Sequence, residues 1–369
     1  SKYLRKAIAY LTYLFVFFLP LQTKFILRSG EINYQEISFY ISHGLLILIF
    51  ALFVFRQFKE KTFKHFDKAI FYSLAIFSLF SLLSILKAPD KSLGFFHFFI
   101  LLAALSVFSI VYLGVEKKNY QDAIINKITL VYVFLSSIFL HSCLAIYQFF
   151  TQSAPACKYL GLASHNPADL GESVVETISG RWLRAYGGFD HPNILGGVLA
   201  ISLILVAYLL AKKKILNGSR QIWSSIFLFV FYFVGLYALF FSFSRAAWIA
   251  LIVGLLVLLI TLICFYDKWV LGRFIALIFF TLVLAGIVAL PFQELVSARI
   301  EVETRLEQKS INDRYTYLLE SRELLKGNFL FGVGIGNYHT ALSLADNNKK
   351  AVWDYQPVRN FFLLLCSET

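Results

Sequence analysis

Long apolar segments alternate with short polar ones along most of the chain. Nine of the apolar segments are about 20 residues long, which is the length that crosses a hydrocarbon core of about 30 Å. These predicted spans cover residues 7–27, 37–56, 68–87, 93–115, 124–150, 191–211, 222–243, 245–266 and 270–291. The runs are continuous and do not alternate, which excludes a transmembrane β-barrel. The pattern therefore predicts an all-α, multi-pass membrane protein.

The spans divide the chain into five regions. We expect five transmembrane helices in residues 1–150, an outer loop in 151–190, four transmembrane helices in 191–291, a large outer loop with helices in 292–357, and the start of a further transmembrane helix in 358–369. A terminal helix of about 12 residues is too short to cross a bilayer. We therefore expect the C-terminal part of the bundle to be truncated.

Composition and charge agree with this class of protein. Of the 369 residues, 59% are hydrophobic and 15% are charged, whereas an average soluble domain has about 45–50% and about 25%. These proportions exclude an ordinary soluble enzyme and a disordered chain. With a cytoplasmic N-terminus, and with the long segment after the ninth span set aside because long loops cross regardless of charge, 17 basic residues flank the spans on the cytoplasmic side and 8 on the outer side. This bias supports that orientation and explains the net charge without a nucleic-acid partner.

The large outer loop contains a predicted helix. Residues 310–313 have the composition of a helix start, and Gly327 is a typical helix end. Between them, an apolar face is predicted from Tyr315, Leu318, Leu319, Arg322 and Leu325. Residues 294–309 are charged and amphipathic, and we expect them to lie along the membrane surface. The His and Cys residues of the chain show no metal-ligand spacing, so neither a metal nor a cofactor is expected.

Arginines in the outer segments are the main candidates for chemistry. Arg245 sits between two apolar runs with almost no loop, where it is either functional or an interfacial arginine whose guanidinium reaches water. Arg184 precedes His191 and Asn193, a stretch that also fits a turn followed by a helix cap. Arg314 lies at the predicted start of the outer helix, where a cation opposes the helix dipole unless an anion is near.

The glycine-rich segment at residues 331–337 is a weak motif by itself. It lacks the Lys-Ser/Thr pair of a P-loop and does not follow a predicted strand. We interpret it as a tight turn that packs the outer segment back on the membrane. Arginine's planar fork suits bidentate phosphate binding. The outer arginines therefore predict an outward-facing site for an anionic, phosphate-bearing lipid.

Four motifs in order give this chain a family resemblance. They are Arg-Ala-x-Gly-Gly-Phe-x-His-Pro-Asn at 184–193, Ser-Arg-Ala-Ala-Trp at 244–248, Asp-Arg at 313–314, and Leu-Phe-Gly-Val-Gly-Ile-Gly-Asn-Tyr at 330–338. This order resembles the O-antigen ligase and O-antigen polymerase superfamily over residues 181–369. The first five spans match the superfamily only in type.

The resemblance implies a GT-C-like glycosyltransferase of the bacterial inner membrane, with its active site facing the periplasm and without metal or nucleotide sugar. Such enzymes take a glycan from an undecaprenyl diphosphate carrier, and ligases move it to the lipid A-core. Carried over by motif, the residues that bind the diphosphate are Arg184, Arg245, Arg314 and Arg322. A histidine in a His-Asn pair of the last long loop serves as the base, and Asn193 and Asn360 are expected to support the site.

One departure from the family pattern concerns that base. The family's His-Asn pair aligns with Arg359-Asn360 in this chain. An arginine stays protonated near neutral pH and cannot act as a general base. We therefore expect either a variant that is inactive in transfer or a proton acceptor elsewhere, such as His191, His339 or Glu368.

Two alternatives to the ligase follow from the same sequence. A polymerase, which extends carrier-linked repeats and so takes a second lipid-linked glycan as its acceptor, shares all of these motifs. A transporter or flippase of lipid-linked sugars is the alternative from another class of function. Transporters usually have paired half-repeats and ionisable residues near the bilayer midplane, which these nearly uncharged spans lack.

Overall fold

The computed structural model describes residues 2–32, 34–60, 67–115, 123–212, 219–300, 305–346 and 350–369. Its helices are α1 (Lys2–Phe18), α2 (Ile41–Glu60), α3 (Lys68–Ser84), α4 (Lys91–Gly114), α5 (Lys127–Thr151), α6 (Pro192–Lys212), α7 (Ser219–Phe241), α8 (Arg245–Phe265), α9 (Lys268–Ala289), α10 (Gln293–Ile300), α11 (Arg305–Gly327), α12 (Tyr338–Ala345) and α13 (Phe361–Glu368). Two antiparallel hairpins pair β1 (Lys24–Arg28) with β2 (Ile37–Tyr40) and β3 (Val174–Thr177) with β4 (Gly180–Leu183).

Eight helical segments of the described residues are long and apolar enough to cross a membrane. They are Ile41–Glu60, Lys68–Lys87, Lys91–Gly114, Lys127–Thr151, Pro192–Lys212, Gln221–Phe241, Arg245–Phe265 and Lys268–Ile300. The last of them runs from α9 through a short 3₁₀ turn into α10. The predicted fold class, an all-α multi-pass membrane protein, is confirmed.

The first predicted span differs from the structure at its C-terminal end. Helix α1 ends at Phe18, two residues before Pro20, and residues 24–28 form strand β1. Proline lacks the N–H that would continue the helix, and it disfavours helical backbone in the residue before it. With 17 residues, α1 is at the lower end of the length that spans a bilayer.

The described chain forms two compact units. The first unit comprises Ser1–Phe15, Lys24–Leu130 and Gln308–Thr369, and the second comprises Val16–Thr23 and Val131–Glu307. In the first unit, Arg28 of β1 pairs with Asp90 at 2.6 Å. Asp90 also caps α4 by accepting a hydrogen bond from the Leu93 amide at 3.0 Å. These contacts hold the β1–β2 hairpin at the start of α4.

Helix α6 is the centre of the second unit. It packs against α7, α8 and α9, and half of the residues in its most apolar stretch are buried. Small residues allow the helices to approach closely, as is typical of membrane bundles. A side chain at Gly254 of α8 would lie 2.1 Å from Ile204 of α6, and one at Gly196 of α6 would lie 2.8 Å from Ala247 of α8.

The predicted outer helix is present, but its start and its buried face differ from the prediction. Helix α11 begins at Arg305, so residues 310–313 lie within it, and it ends at Gly327 as predicted. Among the described side chains of α11, the buried ones are Tyr317, Ser321 and Leu324, whereas Tyr315 is 62% exposed. This face contacts α13, where the hydroxyls of Ser321 and Ser367 lie 3.0 Å apart, and Leu324 packs in the hydrophobic cluster that contains Tyr338 of α12.

Candidate functional site

A three-residue turn joins α7 to α8 in the second unit. It consists of Ser242, Phe243 and Ser244, all of them buried. Phe243 has a φ of 45°, which is costly for a bulky residue and persists only where packing enforces it. The enforcing contacts are aromatic, since Phe149 stacks on Phe241 at 4.1 Å and lies 5.9 Å from the Phe243 ring. The sequence Phe-Ser-Phe-Ser-Arg thus builds a rigid, strained corner.

Three arginines gather around this turn. The Arg184 Nε donates to the Ser242 carbonyl oxygen at 2.8 Å, and the Arg299 Nε and Nη2 donate to the next carbonyl, that of Phe243, at 3.2 and 3.0 Å. The Arg245 Nη1 donates to the Arg299 carbonyl oxygen at 3.0 Å. The turn therefore brings guanidinium groups from three separate segments of the chain to one place.

The three arginines differ in exposure. Arg184 is only 6% exposed, and its Nη2 donates to Asn193 Oδ1 at 2.6 Å. It therefore braces the turn against the start of α6. Arg245 and Arg299 are half-buried, so part of each side chain is accessible at the protein surface. Arg299 is not among the site residues predicted from the sequence, because it lies in the charged stretch whose amphipathic pattern predicts a surface helix. Its place at the α7–α8 turn is evident only from the hydrogen bonds that its guanidinium donates to the Phe243 carbonyl oxygen.

His191, the second candidate base, has contacts at both ring nitrogens. Its Nδ1 accepts a hydrogen bond from the backbone N–H of Asn193 at 3.0 Å, and its Nε2 lies 3.1 Å from Ser173 Oγ. An amide N–H can only donate, so the Nδ1 lone pair is occupied and the neutral ring carries its proton on Nε2. In this tautomer His191 donates to Ser173, which leaves it poorly placed to accept a proton from a substrate.

A polar network lies beside this histidine. Glu172 Oε2 is 2.8 Å from His165 Nδ1 and accepts a hydrogen bond from the Tyr186 hydroxyl at 2.8 Å. The His165 and Tyr186 rings stack at 3.8 Å, and burial raises the pKa of Tyr186. A pocket of about 100 Å³ adjoins them and is also lined by Gly187 and Gly188. The pocket is large enough for one small polar group.

In the first unit, the glycine-rich segment 331–337 is a close-packed joint. Gly332, Gly334 and Gly336 have φ values of 55°, 98° and 70°, a region that glycine adopts without steric cost. A side chain at Gly336 would lie 2.2 Å from the His97 ring of α4. The motif therefore requires glycine for the conformation and for the close approach.

The amides of this segment are bonded within the protein. The Val333 N–H donates to the Ser367 carbonyl oxygen at 2.8 Å, and the Ile335 N–H donates to Ser84 Oγ at 3.0 Å. The Glu368 carboxylate accepts hydrogen bonds from backbone N–H groups at residues 336 and 338. These bonds tie the segment to α3 and α13, as expected of a turn that anchors the outer segment.

His339 is the buried histidine of the same unit. It is 6% exposed, its ring stacks on Tyr34 at 4.3 Å, and its Nε2 has no hydrogen-bond partner among the described residues. Burial, with a contribution from nearby His97, lowers the pKa of His339 to about 4. The ring is therefore neutral near pH 7, but it is enclosed and does not face an open site.

The remaining predicted residues also lie in the first unit. Arg314 and Arg322 are exposed on α11, and Arg359 is exposed just before α13. Asn360 caps α13, because its Oδ1 accepts hydrogen bonds from the backbone N–H groups of residues 362 and 363 at 3.0 and 3.2 Å. Burial raises the pKa of Tyr317, and the positive charge of Arg359 opposes that rise.

The structure thus brings Arg184, Arg245 and Asn193 together in the second unit, with His191 two residues from Asn193. Arg314, Arg322, Arg359 and Asn360 belong to the first unit. Their role in binding or catalysis stays a prediction.

Comparison with known proteins identifies the C-terminal part of the chain. Residues 230–369 match the family model described as O-antigen ligase. No curated protein and no solved structure matches the chain. The matched region contains the α7–α8 turn, Arg245, Arg299 and the glycine-rich segment. The match confirms the resemblance inferred from the motifs: residues 230–369 are similar to the O-antigen ligase and polymerase superfamily of membrane glycosyltransferases, which act on lipid-linked glycans.

Proposed function

We propose that the protein binds an undecaprenyl-diphosphate-linked glycan at the periplasmic face of the bacterial inner membrane, and that its reaction is ligation of the glycan to the lipid A-core. The observation that carries the proposal is the gathering of Arg184, Arg245 and Arg299 around the α7–α8 turn. Guanidinium groups donate two parallel N–H bonds to phosphate oxygens, and a diphosphate presents several such oxygens.

The three arginines have different proposed roles. Arg184 is buried and keeps the turn in place, while Arg245 and Arg299 contact the diphosphate. Arg314 and Arg322 stay further candidates for diphosphate binding on α11. Arg359 attracts the anionic carrier but cannot accept the proton of the acceptor hydroxyl, so transfer by the parent protein is slow.

The test is transfer in proteoliposomes that contain the carrier-linked glycan and one of two acceptors. Parent and Arg359→His proteins are each assayed with lipid A-core and with a second carrier-linked repeat. We expect the histidine form to transfer to lipid A-core. Transfer only to the carrier-linked repeat would identify a polymerase, and movement of the donor across the bilayer without transfer would identify a flippase.

A matched pair of variants separates diphosphate binding from general charge. In the Arg359→His background, Arg299→Gln removes a guanidinium at the turn, and we expect transfer to fall about 100-fold. Arg181→Gln removes the same charge from the same unit at a site where the guanidinium bonds the carbonyls of Ala168 and Asp169. That control is expected to keep its activity, and an equal loss in both variants would contradict a specific role for the turn.

A further inference from the structure

A recess in the first unit combines basic and tyrosine side chains at the N-terminal end of α1. Its volume is about 620 Å³. The lining residues from α1 are Lys2, Arg5, Lys6, Ala9, Tyr10 and Tyr13, and the rest come from the start of α5 and the residues before it. This recess takes no part in the transfer reaction proposed above.

The side chains of α1 are ordered along the recess by polarity. Lys2, Lys6 and Tyr10 are spaced by four residues and therefore lie on one helical face. The same face continues to Leu14 and Phe18, which are 45% and 42% exposed. At 1.5 Å per residue, about 12 Å separate Lys6 from Leu14 along the helix. The surface thus changes from ammonium to phenol to hydrocarbon over about 12 Å, which exceeds the headgroup layer of about 5–8 Å on each side of a bilayer and so reaches into the acyl-chain region.

Among the described residues, the side-chain charges near the recess are mostly positive. Glu60 at the end of α2 is 2.9 Å from Arg5 and 2.8 Å from Arg56, so one carboxylate serves two guanidinium groups. With Lys2 and Lys6, these five residues carry four positive charges against one negative charge. Both lysines are exposed. The arrangement favours an anion in the recess.

The recess is also held in shape. The Tyr13 hydroxyl accepts a hydrogen bond from the backbone N–H of Asn126 at 2.8 Å. Asn126 Oδ1 in turn accepts from the backbone N–H groups of Ile128 and Thr129 at the start of α5. Helix α1 is therefore hydrogen-bonded to the residue that precedes α5, which fixes this side of the recess.

We propose that this recess binds the headgroup phosphate of an anionic phospholipid. The phosphate contacts Lys2, Lys6 and Arg5, the glycerol region lies beside Tyr10, and an acyl chain continues past Leu14. Tyrosine is enriched at the headgroup level of membranes, and basic pockets between helices on the cytoplasmic side bind anionic headgroups. The predicted orientation of the chain puts the recess in the cytoplasmic leaflet, on the side of the membrane away from the proposed donor.

Photolabelling of the full protein tests this proposal. The protein is reconstituted in phosphatidylcholine vesicles with a minor fraction of photoreactive phosphatidylglycerol, and labelled peptides are identified by mass spectrometry. We expect label on α1 of the parent protein. Lys2→Gln combined with Lys6→Gln should lower this label by about 25-fold, since each juxtamembrane lysine contributes about fivefold. Lys2→Arg with Lys6→Arg should keep it.

A charge-matched control distinguishes a site from diffuse attraction. Lys59→Gln with Lys68→Gln removes the same charge from exposed lysines of the same unit outside the recess, and labelling of α1 should change less than about twofold. Equal loss in both pairs overturns the proposal, as does equal labelling of α1 by photoreactive phosphatidylcholine. Soluble glycerol phosphate, at a concentration equal to that of the photoreactive lipid, should not displace the label. Displacement would show a site for free phosphate instead. Labelling of the parent protein decides the matter even if the glutamine pair does not fold.

Discussion

The α7–α8 turn and the glycine-rich segment are both irregular stretches of backbone beside apolar helices, but they use their peptide groups in opposite ways. At the turn, the carbonyl oxygens of Ser242 and Phe243 accept hydrogen bonds from arginines. In the glycine-rich segment, the N–H groups of Val333 and Ile335 donate to other parts of the protein. The first arrangement gathers cations, and the second fastens helices together.

The difference shows how a motif can be recognisable without being a ligand site. Glycine-rich loops often bind phosphate through free N–H groups. Here the bonded amides and the close approach of Gly336 to His97 indicate a structural joint. The arginines of the turn are the better candidates for the diphosphate. Changes in the turn should therefore alter binding, and changes in the joint should alter stability.

The largest expected effect concerns the position of the family's base. Arg359→His introduces an imidazole with a pKa of about 6.5, which can accept a proton from an incoming hydroxyl. We expect transfer to rise by about 100-fold and to increase with pH up to about 7, while both proteins still bind the donor. Arg359→Gln, which cannot accept a proton, should not gain activity. Equal, robust transfer by the parent would show that the base lies elsewhere.

The next effect tests the joint. In Gly336→Ala, the alanine would have to adopt a φ of 70°, and its methyl group would lie 2.2 Å from the His97 ring. We expect it to lower the free energy of unfolding by about 3 kcal/mol. Gly327→Ala, whose side chain would meet no atom within 4 Å, should change it by less than about 0.5 kcal/mol. Thermal unfolding in detergent measures both. A stable Gly336→Ala protein that no longer binds the donor would make the segment a ligand site after all.

Low pH should reduce the stability of the same unit, because His339 is buried in its neutral form. Its pKa is about 4 in the folded protein and about 6.5 in an unfolded chain. The unfolded state therefore binds the proton first, and stability is full above about pH 6.5 and falls towards pH 4. The loss should be roughly 3 kcal/mol, and His339→Gln should remove this part of the pH dependence. An unchanged pH profile in that variant would assign the acid sensitivity to other groups.

The smallest effect concerns the cap of α13. Asn360→Ala removes the acceptor for two backbone N–H groups, and we expect a loss of about 1 kcal/mol in stability. Asn360→Asp keeps an acceptor oxygen and should be nearly neutral. If both substitutions destabilise the protein equally, the amide group has a role other than capping.

Much of the fold could be predicted from the sequence because it depends on local composition. Apolar runs of sufficient length identify the spanning helices, and Gly327 correctly marks the end of α11. The end of α1 at Phe18 was missed because apolar character continues beyond Pro20. The buried face of α11 was also missed, since it depends on contacts with α13 that lie more than 40 residues away.

The candidate site shows the same limit. Arg184 and Arg245 could be proposed because they lie in recognisable motifs next to apolar runs. Arg299 has no such context in the sequence, and only the hydrogen bonds of its guanidinium to the Phe243 carbonyl bring it to the turn. The capping role of Asn360 and the burial of His339 likewise depend on tertiary structure.

Donor binding tests the central claim, that arginines at the α7–α8 turn hold the diphosphate, most directly. Binding of undecaprenyl diphosphate and of undecaprenyl monophosphate is measured for the parent protein and for Arg245→Gln, Arg299→Gln and Arg181→Gln. We predict that the parent prefers the diphosphate, that Arg245→Gln and Arg299→Gln each weaken its binding by about 10- to 100-fold, and that Arg181→Gln does not. Unchanged affinity in both turn variants, with each protein folded, would contradict the claim.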